Sequence, residues 1–167
     1  MPFPRDRLDL YCCQNEIEGT TTREAYQSLV DKWKAAGIID ASNTSNDDRL
    51  IKGGFERLWL DTPGKVVLYA NNQGGFRVRC KACNNPIARE FSAALTRWRQ
   101  QNGPRSLVCQ SCKTDQILEE AQCNPPIRFA SGAIVFSGVN SIDMTEEALA
   151  GLTETLGPFT VVMSRKA

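Results

Sequence analysis

Two C-x-x-C units, Cys80-Lys81-Ala82-Cys83 and Cys109-Gln110-Ser111-Cys112, restrict this chain more than any other feature it carries. Each two-residue gap suits a turn that aims two thiolates at one point. Two such turns supply four ligands, a complete tetrahedral shell for one zinc ion. Four sulfurs leave no position for water or substrate, so the metal is expected to be structural rather than catalytic. Basic residues beside the pairs, Arg79, Lys81 and Lys113, favour thiolate over thiol and so favour metallation.

Histidine is absent. Its absence excludes Ser-His-Asp and Cys-His nucleophile systems, H-E-x-x-H proteases and the H-x-E deaminase signature. No P-loop or G-x-G-x-x-G stands in the chain. The adjacent carboxylates Asp47-Asp48, Glu119-Glu120 and Glu146-Glu147 sit at expected turns and helix starts, where acids serve solvation and capping. The chain is therefore expected not to be an enzyme.

Two other uses of the cysteine pairs stay open. One is a thioredoxin-like dithiol, since Cys83 is followed by Asn84-Asn85-Pro86 and a helix pattern. The other is a set of unrelated buried thiols. Cys12, Cys13 and Cys123 are left over; the first two alternate across a strand pattern and so point to opposite faces, which makes a shared metal difficult.

At 167 residues the chain reads as one domain with room for a real core. Composition, 41% apolar and 23% charged, is that of a globular protein, and no apolar run has the length of a membrane span. The start, MPFPRDRLDL, lacks the apolar segment of a secretory signal, so a cytoplasmic location is expected. Charge is uneven. Residues 77–113 carry eight basic side chains against Glu90, a net of +7 in a chain whose total is +1, which leaves −6 elsewhere.

Periodicity predicts a strand over 7–13 and then a helix capped by Thr21 or Thr22, with Glu24 closing a capping box. Its stripe is Ala25, Leu29, Val30 and Trp33, with Gly37 as C-cap. The polar stretch 40–48 is expected as a loop. Strands are expected at 56–61, 65–71 and 76–80 as an antiparallel meander. A helix follows over 88–101, with Phe91, Ala94, Leu95 and Trp98 inward and Gly103-Pro104 as its stop. A short helix is expected over 115–122. The last third reads strand 132–138, a helix over 146–156 capped by Thr145, and strand 159–164. The fold class expected is α+β: a mixed or antiparallel sheet, two or three packed helices, and a four-cysteine module inserted at 76–113.

The stretch 76–113, with its knuckles RCKACNNP and VCQSCK, resembles the zinc-ribbon family, with a helix where ribbons have a short hairpin. That resemblance implies nucleic-acid binding through the basic 77–113 segment. The whole chain, a small α/β protein with a knuckle pair flanking a helix, also resembles bacterial immunity proteins, including those of type VI secretion. That second resemblance implies a cognate toxin as partner, inhibited by occlusion of its active site. An acidic face would suit a basic toxin, and its candidates are Asp47, Asp48, Asp115, Glu119, Glu120, Glu146 and Glu147.

Overall fold

The computed structural model describes residues 8–15, 23–71 and 75–165. The chain forms two compact units. A body comprises residues 1–74 and 128–167, and an inserted unit comprises Gly75–Ile127. The inserted unit extends beyond the 76–113 read from the cysteines because the segment after Cys112 pairs back onto the strand before Cys80.

The body is built on a four-stranded antiparallel sheet of order β10-β1-β9-β2. Its strands are β1 (Leu8–Gln14), β2 (Arg57–Asp61), β9 (Ala133–Val139) and β10 (Phe159–Arg165). β9 lies between β1 and β2 and is apolar on both faces. Such a run suits a strand covered from both sides. One face carries Leu10, Cys12, Leu58, Ile134 and Phe136. It is covered by α1 (Arg23–Ala35) through Tyr26, Leu29, Val30 and Trp33, and by α3 (Glu146–Leu156) through Ala148, Leu152 and Leu156. The other face gathers Cys13, Ala133, Val135 and Val162 with Tyr69 and Ala130. Cys12 and Cys13 thus lie on opposite faces, as the period of two requires.

The helices meet closely at Gly151. A Cβ there would lie 2.8 Å from Trp33 Cζ2 and 3.0 Å from Leu29 Cδ1, so a side chain would wedge α1 from α3. Gly37 (φ 71) ends α1 in a Schellman-type turn, with Ile38 N–H donating to Trp33 O at 2.9 Å. Thr145 caps α3, its Oγ1 accepting from Ala148 N–H at 3.2 Å. The expected Thr21, Thr22 and Glu24 box lies partly outside the described residues.

The expected meander does not form. β2 pairs with β9, β3 (Val67–Tyr69) with β8 (Arg128–Ala130), and β4 (Arg77–Arg79) with β7 (Gln122–Asn124). β2 and β3 find their partners after the insertion and β4 finds its partner near the insertion's end, in reversed order, so the pairs are nested along the sequence. Three-residue strands such as β3 and β4 carry too little alternation to specify a neighbour, and β9 offers β2 a longer apolar ladder.

Within the inserted unit, β5 (Ser106–Val108) and β6 (Asp115–Ile117) form a hairpin, and α2 (Ala88–Gln101) packs against β4 and β5. Phe91 and Ala94 are buried, Leu95 and Trp98 half-buried, and Phe91 meets Phe76 edge-to-face at 5.8 Å. α2 ends at Asn102, which adopts the left-handed conformation one residue before the glycine read as the stop. The helix expected over 115–122 is instead β6, a single 3-10 turn at Leu118–Glu120, and β7.

Candidate metal centre

Both C-x-x-C units lie at the ends of hairpins, and their backbones follow the same path. In the first, Cys80 N–H donates to Asn85 O at 2.9 Å and Asn84 N–H donates to Cys80 O at 3.0 Å. In the second, Cys109 N–H donates to Thr114 O at 3.1 Å and Lys113 N–H donates to Cys109 O at 2.8 Å. The fourth residue after each leading cysteine, Asn84 and Lys113, has φ 62, the left-handed turn that lets the strand return. One local conformation is used twice, which is why both gaps are two residues.

The four Sγ atoms lie within 4.8 Å of one another. Cys80 Sγ is 3.7 Å from Cys112 Sγ, and Cys83 Sγ is 3.7 Å from Cys109 Sγ, so the closest neighbours come from different knuckles. Sulfurs about 2.3 Å from a common centre stand at separations of this size in a tetrahedron. The cluster can therefore hold one metal ion. The burial is graded. Cys80 and Cys109 are buried, Cys83 is intermediate and Cys112 is exposed.

Hydrogen bonds to sulfur further support the fit. Ala82 N–H donates to Cys80 Sγ at 3.4 Å and Gln116 Nε2 donates to the same sulfur at 3.1 Å. The Cys83 backbone N–H and then the Gln116 amide lower the Cys80 thiol to about 6 despite its burial. Thr114, through its hydroxyl 3.1 Å away and its backbone N–H, lowers Cys112. For Cys83 the Asn85 N–H acts downward, but burial and the neighbouring sulfurs outweigh it and carry the thiol up to about 11. Donors aimed at sulfur are what a thiolate ligand set requires.

The remaining cysteines stand apart from this cluster. Burial raises the Cys12 thiol, pushes Cys13 to about 12 and Cys123 to about 11, which leaves all three as neutral thiols at physiological pH.

The seven acidic candidates divide between the two units. Asp47, Asp48, Glu146 and Glu147 belong to the body and are exposed. The turn that carries Asp47 and Asp48 is tied to the start of α3: Thr145 N–H donates to Leu50 O and Thr145 Oγ1 donates to Arg49 O at 2.7 Å. Asp47 Oδ1 accepts from Arg49 N–H and Asp48 Oδ1 from Gly53 N–H, and Glu147 faces Arg49 at 3.8 Å. Asp115, Glu119 and Glu120 belong to the inserted unit. There Glu119 pairs with Arg105 at 2.8 Å and Glu120 with Lys81 at 2.5 Å. Arg105 also lies 5.4 Å over the Trp98 ring.

The residue that sequence reasoning passed over is Gln116. Its only signal is a reversed pattern in Asp115-Gln116-Ile117, where the polar residue turns inward and the isoleucine faces solvent.

Comparison with protein-family models, with curated proteins and with solved structures finds no match for this chain. Among the described residues no helix is long and apolar enough to cross a membrane.

Proposed function

We propose that Cys80, Cys83, Cys109 and Cys112 hold one zinc ion that is structural. On this reading the chain is a non-enzymatic binding protein that neutralises a toxic partner protein by covering its active site, in the manner of an immunity protein. The observation that carries the zinc assignment is the closed four-sulfur cluster on two matched knuckles. A filled-shell, borderline-soft ion with no geometric demand beyond the tetrahedron suits four thiolates, and a filled shell leaves the ion to fold the unit rather than to react.

Support for a protein partner comes from the body. Ile142 and Leu149 are 58% and 41% exposed, beside or on the start of α3, whose first turn also carries the exposed Glu146 and Glu147. Exposed apolar side chains bordered by acids fit a basic protein surface, with the apolar groups supplying affinity and the acids orientation.

A second reading, nucleic-acid binding, is favoured by one feature of the inserted unit. Arg77, Arg89, Arg97 and Arg99 are exposed and form no ion pair among the described residues. The inward positions of Phe91 and Trp98 weigh against base stacking.

Metal analysis and affinity capture separate these readings. The freshly reduced protein is expected to contain one zinc per chain. It is expected to retain a stoichiometric protein partner through nuclease treatment and high salt. Capture of nucleic acid alone, lost steeply with salt, would transfer the assignment to the second reading.

A further inference from the structure

We infer that Gln116 is a positioning residue of the metal centre, a buried amide that bridges the two knuckles and tunes the Cys80 thiolate. The inference rests on the zinc reading above and specifies a residue outside the ligand set.

Gln116 is 3% exposed, and it is a polar side chain where the hairpin pattern calls for an apolar one. It stands on β6, the strand that leaves the second knuckle, opposite Leu107 on β5. Its side chain reaches to the first knuckle and makes two contacts there. Oε1 accepts from Lys81 N–H at 3.2 Å, and Nε2 donates to Cys80 Sγ at 3.1 Å. A backbone N–H can face only an acceptor, so the Lys81 contact fixes which end of the amide is oxygen and leaves the nitrogen facing sulfur. A thiolate accepts and cannot donate, so the pairing is complete in the metal-bound state.

Two consequences follow from that geometry. The first is mechanical. Gln116 fixes the first knuckle to the strand of the second through a link that does not involve the metal, so the sulfurs are held near their final spacing. The second is electronic. An N–H on a thiolate withdraws electron density from it, so Cys80 is less basic and less readily protonated off the metal with Gln116 than without it. A merely space-filling residue would account for the burial but for neither hydrogen bond.

The test uses two variants of the full chain, Gln116→Glu and Gln116→Leu. The glutamate keeps the shape and the acceptor for Lys81 N–H but has no N–H for sulfur; the leucine loses both contacts. Zinc content is measured first, then the rate of zinc transfer to an excess chromogenic chelator, then the spectrum of the cobalt(II)-loaded protein. Both variants are expected to release zinc faster by about 10–100-fold. Both are also expected to move the sulfur-to-cobalt charge-transfer band to longer wavelength, as a thiolate relieved of its hydrogen bond must. Two outcomes would overturn the assignment. If wild type and both variants hold one zinc, release it at the same rate and share one cobalt spectrum, the zinc reading stands and the role of Gln116 fails. If wild type itself holds no zinc, both fail together. The isosteric glutamate keeps the test decisive should the leucine variant not fold.

Discussion

The body and the inserted unit reach order by different means. The body buries a large apolar set, with Leu10, Leu50, Ile51, Leu58, Ile134, Phe136 and Leu152 all fully enclosed between sheet and helices. In the inserted unit the strands are three residues long and the fully enclosed large side chains reduce to Ile87, Phe91 and Leu118. Short hairpins with so few apolar anchors are marginal in water. The sulfur cluster stands where a core would otherwise be. Cys12 and Cys13 of the body are packed into its core, whereas four of the five cysteines of the inserted unit converge.

The largest expected effect removes the metal. Replacing Cys109 with Ser, or stripping the ion with a strong chelator, is expected to abolish amide-exchange protection across 75–127 while the body keeps its own. Structural zinc contributes on the order of 10 kcal/mol or more. A uniform loss of protection through both units would break the comparison. Next in size is Trp33→Ala, which empties the space between α1, Gly151 and the sheet. The expected cost to the body is about 3–5 kcal/mol by denaturant titration, with zinc content unchanged. A smaller effect concerns pH. Burial holds Cys13 neutral up to about 12, whereas in the unfolded chain it ionises near its ordinary value of 9.0. Its contribution is therefore full below pH 9 and is lost as pH rises from 9 toward 12. The slope is about 1.4 kcal/mol per pH unit. Denaturant titrations across that window, compared with Cys13→Ala, are expected to show the slope flatten in the variant. The smallest effect is Thr145→Ala, about 1 kcal/mol from the lost cap of α3, with no change in the metal unit.

The sequence made the three helices α1, α2 and α3 and the clustering of the four cysteines legible and left the strand partners obscure, for physical reasons. Trp33, Leu29 and Val30 announce α1 because helical order is local. Both knuckles are local too, each a six-residue turn. The pairing of β2 with β9 joins residues far apart in the chain, and nothing in Arg57–Asp61 names its partner. The segment 115–122 misled because its outward residue, Ile117, is apolar and its inward residue, Gln116, is polar. That inversion places the Gln116 amide against Cys80 Sγ and Lys81 N–H, contacts that exist only once the two hairpins have met. The acids scattered as they did because several are local caps and ion-pair members whose roles depend on folded neighbours such as Arg49, Lys81 and Arg105.

The central place of β9 has a consequence for the order of events at the ribosome. β1 and β2 do not touch each other in the sheet; each lies against β9, which is made after the insertion. The early strands emerge and wait. Residues 75–127 are complete and contiguous before Ala133 is added, so both knuckles can form while the sheet still lacks its middle strand. All four cysteines of the cluster are therefore synthesised before the body that carries them can close its sheet.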